Sequence, residues 1–347
     1  MKTVKLFVGI LAAMALFNCQ NESLDSSEPN GYNSTLSSGK QTASKLNGTS
    51  VYVSSNTSGI LGVFDISSGL SSPTMKAIHV PYADADGVEY DANRDAVYQV
   101  NRTDKSLVAL ASISKSADGD WVTPSAMGPS TFANGRGSAL YNNKVVIADD
   151  VTPGKLASYH VNDDNISDFR QYNVGFEVWD AHVNGKDLWA IEDVTSNLVY
   201  FQNFHNAMSG DLAYTAKVSI EGLVRTHGMD YDANTDIMVL TDIGSASGMP
   251  TSATDGALVI IKNFSSKFLA AGNGGTITLA DQIRIAGDMT QLGNPVDVAV
   301  SPDKNAIFVA ERAQQKLLIF EMPADNCNCT PIYATAFSGA SSITTDF

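Results

Sequence analysis

The sequence predicts an all-β protein with the architecture of a β-propeller, most simply one of six blades. A pair of short apolar strands recurs six times, the copies are spaced like propeller blades, and tight-turn residues separate the strands. A single hairpin of this kind cannot bury both of its faces, so the copies must pack on one another in a closed or stacked array. The copies begin at Val51, Val97, Val145, Leu188, Met238 and Ile307.

The spacing of the copies fits blades of four strands. Large residues at one equivalent position are separated by 46, 48, 43, 50 and 69 residues, and a propeller repeat spans about 40 to 50 residues. The last gap carries extra loops that start near Gly244 and Ala270, which leaves room for a degenerate seventh blade. The equivalent residues are Tyr52, Tyr98, Val146, Trp189, Val239 and Phe308.

Another apolar strand precedes most copies, and a turn rich in Asn, Asp and Gly joins the two strands. These residues tolerate positive φ at little cost. The first copy lacks such an inner strand, so we expect residues 42–46 or residues 333–347 to complete a mixed blade. No segment after residue 19 has the apolar period of a long amphipathic helix.

The last copy resembles a known repeat. Residues 295–322, PVDVAVSPDKNAIFVAERAQQKLLIFEM, are similar to an NHL or YVTN-type propeller repeat, with a proline-led inner strand and a Pro-Asp turn. The chain has Lys304 where that family favours Gly, and Glu311 where it favours Asp. The resemblance extends over residues 46–337 and implies the fold, but no particular activity, because propellers host many unrelated functions.

The first nineteen residues have the layout of an export signal, with Lys2 and Lys5 followed by an apolar run. The run is shorter than the roughly 20 apolar residues of a permanent membrane helix, so we expect its removal. Residues 16–19 resemble a bacterial lipobox, which implies a lipid on Cys19 and a cell-envelope protein that meets the membrane only through this anchor. The alternative is an ordinary signal peptide with an incidental cysteine.

Residues 20–45 are rich in Ser, Asn, Gly and Thr, which predicts a flexible tether before a propeller that spans residues 46–347. The chain has 22 basic and 37 acidic residues and a formal net charge of −15. This charge disfavours nucleic acid and anionic lipid headgroups as partners. We therefore expect a monomer that binds a protein or a glycan.

Cys327 and Cys329 remain once the leader is set aside. Two cysteines supply too few ligands for a metal site of the usual kind. In an oxidising envelope the pair favours a local disulfide over free thiols, and we assign neither cysteine a catalytic role.

A polar residue closes the second strand of every copy, and further polar residues follow it in most copies. A propeller brings equivalent positions around one axis, so these side chains are expected to ring one mouth of the central channel. Paired acids on neighbouring copies make this ring asymmetric, and like charges held close together raise each other's pKa or recruit a cation. The candidates for the binding face are Asp150, Trp179, Asp180, His182, Glu192, Asp193 and His227.

A divalent cation such as calcium, which favours several oxygen ligands, is the cofactor that such a ring would suit. In composition the ring resembles the metal-bearing mouth of six-bladed lactonases of the gluconolactonase type. The candidate ligands are Asp149, Glu192 and Asp242. The alternative for Asp149, Asp242 and Glu311 is structural, because such side chains accept hydrogen bonds from turn backbone.

Two functions follow as hypotheses. The first is an envelope-anchored binding or scaffold module for a protein or glycan, with room for a cation in the channel. The second is a metal-dependent hydrolase or lyase, lactonase-like, in which His182 and His227 act as acid and base. Trp179 is a candidate for stacking on a sugar ring, whereas Trp189 lies in mid-strand and is expected in the core.

Overall fold

The computed structural model describes residues 48–162, 164–245 and 255–347. Within these ranges the chain forms a six-bladed β-propeller with one α-helix, α1 (Phe264–Ala271). The predicted all-β class and the six blades are confirmed. The leader with Cys19 and the tether lie outside the described ranges. The described helices include none with the length and hydropathy needed to cross a membrane.

Each blade contains four antiparallel strands, and a two-residue fifth strand joins in parallel at the outer edge of blades 3 and 4. From the channel outward, blade 1 comprises β26 (Ala340–Thr345), β1 (Ser50–Ser55), β2 (Ile60–Asp65) and β3 (Thr74–His79). Blade 2 comprises β4 (Ala85–Asp91), β5 (Ala96–Asn101), β6 (Ser106–Ala111) and β7 (Ala126–Met127). Blade 3 comprises β8 (Gly135–Tyr141), β9 (Lys144–Asp149), β10 (Lys155–Val161), β11 (Ile166–Asn173) and β15 (Gly210–Asp211).

The other three blades repeat this arrangement. Blade 4 comprises β12 (Val178–Asn184), β13 (Asp187–Glu192), β14 (Asn197–Phe201), β16 (Ala216–Ile220) and β20 (Thr276–Ile277). Blade 5 comprises β17 (Thr226–Asp232), β18 (Ile237–Asp242), β19 (Ala257–Lys262) and β21 (Ile283–Ala286). Blade 6 comprises β22 (Pro295–Ser301), β23 (Ala306–Glu311), β24 (Lys316–Glu321) and β25 (Tyr333–Ala336). Short 3₁₀ turns occupy Ile113–Lys115, Phe204–Asn206 and Leu279–Asp281.

The ring is closed by the strand β26. This strand pairs antiparallel with β1, placing Thr345 opposite Val51. The innermost strands contact one another in the order β26, β4, β8, β12, β17, β22 and back to β26. The terminal segment 333–347 therefore completes the mixed blade, which was one of the two predicted possibilities. The other candidate, residues 42–46, lies outside the described ranges.

The insertion in the last gap forms a helix and outer strands, so it does not add a seventh blade to the described structure. Phe264 and Phe268 of α1 pack on the ring of Trp189, with centroid distances of 4.9 and 4.6 Å. Tyr200 lies against the same indole at 4.5 Å. Trp189 is 1% exposed, which agrees with its predicted place in the core.

Tight turns join the inner strand to the second strand in blades 2 to 6, as the Asn, Asp and Gly residues predicted. One residue in each turn has a φ between 48° and 60°, a conformation that these three residue types adopt most readily. The residues are Asp95, Asn142, Gly185, Asp236 and Asn305.

Neighbouring blades are also joined inside the channel. In four places, a side-chain oxygen on one inner strand accepts a hydrogen bond from a backbone N–H on the next inner strand. Such bonds provide acceptors for buried backbone N–H groups that have no partner within the sheet. The donors and acceptors are Met229 to Asp180 at 3.0 Å, Val300 to Asp230 at 2.8 Å, Ile343 to Asp297 at 2.8 Å and Val88 to Ser342 at 3.2 Å.

Candidate functional site at the channel mouth

One end of the channel, here called the mouth, is built on the same backbone hydrogen bond in all six blades. The N–H of the residue after the second strand donates to a carbonyl just before the inner strand, at 2.9 to 3.0 Å. The six backbones are therefore equivalent, while their side chains differ. The donor residues form the outer ring of the mouth: Asn56, Arg102, Asp150, Asp193, Ile243 and Arg312.

A second set of side chains, the inner ring, comes from an irregularity near the start of every inner strand. The register shifts there, so that an extra residue of the inner strand has no direct partner on the second strand. Bulges of this type re-aim side chains and are common beside functional sites. The inner ring consists of Ser341, Asp86, Arg136, Trp179, His227 and Val296.

Arg136 joins blades 2, 3 and 4. Its Nη1 lies 3.3 Å from Oδ2 of Asp86, and its Nε lies 3.4 Å from Oδ2 of Asp150. The guanidinium also lies 4.3 Å from the ring centroid of Trp179. Burial raises the pKa of Asp86, and the nearby Arg136 and Arg102 oppose that rise. Arg136 thus compensates a carboxyl that is only 7% exposed.

Trp179 is enclosed on both faces. His227 stacks on it with a centroid distance of 3.6 Å and an interplanar angle of 6°. Because this imidazole covers one face, the guanidinium of Arg136 must occupy the other. The two contacts compete with a sugar for the indole, and the stacking role of Trp179 stays a prediction.

His227 is 4% exposed. Its Nε2 lies 3.5 Å from Oδ1 of Asp193, and neither ring nitrogen makes a hydrogen bond of normal geometry with the residues that the structure describes. Burial lowers the pKa of His227 to about 4, although Asp193 opposes this shift. The imidazole is therefore neutral near pH 7 and keeps an unshared electron pair on one nitrogen.

Three carboxylates meet beside His227. One oxygen each of Asp150, Glu177 and Asp193 lie within 4.8 Å of one another. Burial raises the pKa of Asp150, with Asp193 and Glu177 adding to the rise and Arg136 opposing it. We call Asp150, Glu177 and Asp193 the carboxylate triple, and its oxygen atoms are of the kind that a hard cation prefers.

Arg225 holds one member of this triple in place. Its Nε and Nη2 each lie 3.0 Å from an oxygen of Asp193, a bidentate pair. Burial opposes ionisation of Asp193, but the contacts from His227 and Arg225 outweigh it and hold the pKa well below its usual range. Asp193 therefore stays charged.

The opposite side of the mouth, formed by blades 6 and 1 with the edge of blade 2, is only partly paired: Arg102 bonds to Asp84 at 3.0 Å. The guanidinium of Arg312 makes neither a hydrogen bond nor an ion pair within the described ranges. Burial lowers its pKa, Asp86 opposes this, and Arg102 and Arg136 add to it. Three buried atoms nearby also lack hydrogen-bond partners among described residues: Asn56 Oδ1, Asn294 Oδ1 and Arg102 Nε. We call Arg312, Arg102, Asn56 and Asn294 the open side.

The structure does not assemble the predicted metal ligands. Oδ1 of Asp149 accepts the N–H groups of Ala133 and Asn134 at 3.0 and 2.7 Å. Oδ1 of Asp242 accepts the N–H of Arg225 at 3.0 Å. Both residues tie the end of the second strand to the approach of the inner strand in their own blade. The structural alternative for them is correct.

Glu192 is also bound within its own blade. Lys217 Nζ and Asn197 Nδ2 donate to its two oxygens at 2.7 and 2.6 Å. The three predicted ligands lie on blades 3, 4 and 5 with separate partners, so the prediction of a shared cation between them is wrong. Glu311 follows the same structural pattern and accepts the N–H of Asn294.

His182 lies at the other end of the channel. It is three residues beyond Trp179 on β12, about 10 Å further along a strand, and its Nδ1 lies 3.3 Å from Oδ1 of Asp230. The prediction that His182 and His227 share one face is wrong, because the inner strand runs down the channel and not around its rim. The binding-face candidates that the mouth does bring together are Asp150, Trp179, Asp193 and His227.

A cavity of about 370 Å³ occupies this second end. Its walls include Glu89, Asp180, His182, Asp230 and Asp297. A Cβ on Gly137 would lie 1.8 Å from Oδ1 of Asp180, so glycine is required beside that carboxyl. Burial raises the pKa of Asp297 to about 7, and the hydrogen bonds from Ser342 and Ile343 oppose the rise. Burial, with Asp297 next, likewise raises the pKa of Asp180.

Sequence reasoning missed Glu177 and the unpaired state of Arg312. Glu177 occupies the position of Asp84, Asn134 and Arg225 in other blades, each the acceptor of the repeated backbone hydrogen bond. An alignment of the residues before each inner strand would have found it. No sequence signal distinguishes Arg312, which is unpaired among the described residues, from Arg102, which pairs with Asp84.

Comparison with known proteins supports the fold alone. No protein-family model matches the chain, and no curated protein matches it. A chain of a nidogen/laminin complex is 12% identical with a TM-score of 0.62, over 86% of this chain and 99% of that one. A putative 6-phosphogluconolactonase from Bacteroides fragilis is 12% identical with a TM-score of 0.57, over 88% of this chain and 99% of that one. A protein of unknown function from Bacteroides caccae is 10% identical with a TM-score of 0.53, over 86% and 99%.

Proposed function

We propose that this propeller is a binding module whose ligand site is the mouth of the channel. The observation that carries the proposal is the contrast between six equivalent backbones and an unequal set of side chains. The propeller fold requires the repeated hydrogen bond. The fold does not require that Arg312, and the buried atoms Asn56 Oδ1, Asn294 Oδ1 and Arg102 Nε, lack partners among the described residues. Unsatisfied groups of this kind call for an explanation in a native structure.

A glycan suits the mouth better than a protein partner. Nine of the twelve side chains in the two rings are polar or charged, the exceptions being Ile243, Trp179 and Val296. The centre of a protein interface is depleted in charge and carries exposed aromatic anchors, whereas the indole of Trp179 is covered on both faces. The cavity at the other end is less suitable, because several of its acids are bound to backbone N–H groups.

The test is a glycan microarray probed with the labelled protein and two matched double variants. Arg312→Ala with Asn294→Ala alters the mouth, and Arg94→Ala with Asn93→Ala makes the same change in the turn at the other end of blade 2. We expect the mouth variant to lose at least about 10-fold in affinity, since hydrogen bonds from a charged group are strong. The control should bind as wild type. Absence of glycan binding, or equal binding by both variants, overturns the proposal, and recovery of a protein ligand would point to the other partner class.

A metal-dependent hydrolase is the second candidate, favoured by the carboxylate triple with His227 beside it. One fold neighbour is described as a putative 6-phosphogluconolactonase. Calcium should then raise the melting temperature of wild type, and Glu177→Gln should abolish this rise, while Glu321→Gln on an exposed strand end keeps it. No calcium uptake in equilibrium dialysis, and no change of melting in chelator, would remove this candidate.

We further propose that the protein is held at the cell envelope by a lipid on Cys19. The support is the lipobox-like segment 16–19 and the polar stretch that follows it. Cys19→Ser should move the protein from the membrane fraction to the soluble fraction of the expressing bacterium. Retention of the variant in the membrane fraction would contradict the anchor.

A further inference from the structure

We propose that the cavity at the second end of the channel binds a small aliphatic diamine, with its ammonium groups on the acidic side chains of the cavity wall. This site lies at the opposite end of the channel from the mouth and does not depend on the glycan proposal. Three observations carry the inference: the charge of the wall, two buried hydroxyl groups without partners, and the way in which the acids are spread between apolar side chains.

The first observation is the charge of the wall. The cavity has a volume of about 370 Å³, which lies within the range of pockets that hold small molecules. Its lining includes six acidic side chains and neither lysine nor arginine. Two basic groups are close, His182 in the wall and Lys304, whose Nζ lies 4.5 Å from the ring centroid of Phe347. The six acids are Glu89, Asp180, Asp230, Asp232, Asp297 and Asp303.

This charge is not compensated within the wall. Burial raises the pKa of Asp180 and of Asp297, and neighbouring acids add to both rises. Even with these two carboxyls protonated, and with His182 and Lys304 both charged, the remaining acids outnumber the basic groups. A cationic ligand would relieve this repulsion between like charges.

The second observation is a pair of buried hydroxyl groups in the same wall. Ser301 is 7% exposed and Thr344 is 8% exposed, and both line the cavity. Neither hydroxyl has a hydrogen-bond partner within the described ranges, although neither oxygen is sealed from the cavity. The hydroxyl of Thr345, in contrast, donates to the carbonyl of Phe347 at 3.2 Å. Buried polar groups without partners call for an explanation, and a hydroxyl oxygen can accept a hydrogen bond from an ammonium group.

The acids of the wall keep acceptor capacity after their contacts with the backbone. Asp180 accepts the N–H groups of Ala181 and Met229 at 2.8 and 3.0 Å. Asp230 accepts the N–H of Val300 at 2.8 Å. An ionised carboxylate has about four acceptor positions, so these bonds orient the acids and leave further positions for a donor from a ligand.

The third observation distinguishes an organic cation from a metal ion. A metal ion needs several ligand atoms around one point, and within the described ranges only the carboxylate triple at the mouth brings three such atoms within 4.8 Å of one another. The acids of the cavity are more widely spread. Apolar side chains lie in the same wall, and they would contact the methylene groups of an aliphatic chain. These side chains are Val88, Leu140, Val183 and Val298.

The experiment compares two probes of the same length by calorimetry, 1,5-diaminopentane and the uncharged 1,5-pentanediol. We expect wild type to bind the diamine at least about 10-fold more tightly than the diol. Glu89→Gln keeps the shape of the wall and removes one charge, so it should weaken diamine binding by about 10-fold. Thr344→Val removes a hydroxyl that has no partner in the described ranges and should weaken it by about 3-fold. The control Glu321→Gln, at an exposed strand end outside the cavity lining, should bind as wild type.

The outcomes separate this inference from the proposed function. Absence of diamine binding, equal binding of diamine and diol, or wild-type affinity in both cavity variants overturns it. Calcium chloride that displaces the diamine at equal concentration would assign the cavity to a metal ion. Tighter binding of an acetylated lysine amide than of the diamine would assign it to a lysine of a partner protein. Variants that melt within a degree of wild type exclude unfolding as the cause, and the glycan proposal, tested at the mouth, stands or fails separately.

Discussion

Aspartate side chains at the two ends of the channel make different kinds of contact. In the cavity, Asp180, Asp230 and Asp297 accept backbone N–H groups from the next blade. At the mouth, Asp86 and Asp193 pair with arginine side chains. A carboxylate bound to backbone N–H groups stabilises the fold independently of the neighbouring side chains. A carboxylate paired with arginine depends on the identity of that side chain, so substitutions can change the pairing without changing the fold.

This difference indicates where function is to be sought in a repeated fold. Bonds between side chain and backbone recur at equivalent positions, because every blade boundary poses the same problem of unsatisfied donors. Contacts between side chains differ from blade to blade and leave Arg312 without a partner in the described structure. Four predictions test the contrast, from the largest effect to the smallest.

The largest effect is expected for Asp297→Ala. Ser342 and Ile343 of the closing strand β26 would lose their acceptor, which they reach at 2.6 and 2.8 Å. Leaving buried donors unsatisfied should lower the free energy of unfolding by about 3 kcal/mol, as measured by denaturant titration. Asp303→Ala, an exposed change at the same end, should cost little. Equal losses for the two variants would contradict the structural role of Asp297.

Arg136→Ala should come next. It leaves Asp86 buried, with Arg102 at 3.9 Å as its nearest remaining cation, and it uncovers one face of Trp179. Breaking a largely buried pair on one side is destabilising, and we expect a loss of about 2 kcal/mol. Lys267→Ala, which breaks a more exposed pair with Asp281 at 3.8 Å, should cost clearly less. A loss no larger than that of the control would show that the mouth network is not structural.

The pH dependence should be smaller. The folded pKa of Asp297 is about 7 against an ordinary value of 3.8, so the folded protein holds this proton more tightly than the unfolded chain. Its contribution is full below the ordinary value and is lost as pH rises through about 7. The stability of wild type relative to Asp297→Asn should therefore fall by about 1 kcal/mol between about pH 6 and about pH 8. A relative stability that rises over this range would reverse the assignment.

Arg312→Gln should have the smallest effect on stability. Its guanidinium has no partner to lose in the described ranges, and the acids Asp86 and Asp84 act on it in the opposite direction to Arg102 and Arg136. We expect a change within about 0.5 kcal/mol. The matched change Arg136→Gln should be clearly destabilising. A large loss for Arg312→Gln would mean that the open side serves the fold.

The sequence predicted the fold because a blade is a local pattern. The apolar strands, their spacing and the turns at Asp95 or Asn305 depend on residues close together in the chain. The same holds for Trp189, whose mid-strand place predicted burial. The insertion was harder, because α1 is only eight residues long and a helix that short has little periodic signal.

The site was predicted less well, because it depends on contacts between blades. Nothing local distinguishes Asp149, bound to the backbone of Asn134, from Asp150, which faces Arg136. The sequence pattern placed Asp180 and His182 on the rim of the mouth. Because the inner strand runs along the channel, the structure places both residues in the cavity further down. The contacts of His227 with Trp179 and Asp193, and the lack of a partner for Arg312 among the described residues, become visible only when the blades are brought around the axis.

The closing strand also sets the order in which the molecule can be finished. β1 is made well before its channel-side partner, residues 340–345, with which it pairs. Until then β1 keeps an unpaired edge, which invites pairing with other chains. The native ring consequently cannot close before residues 340–345 have been made, and a protease that removed those residues would prevent closure.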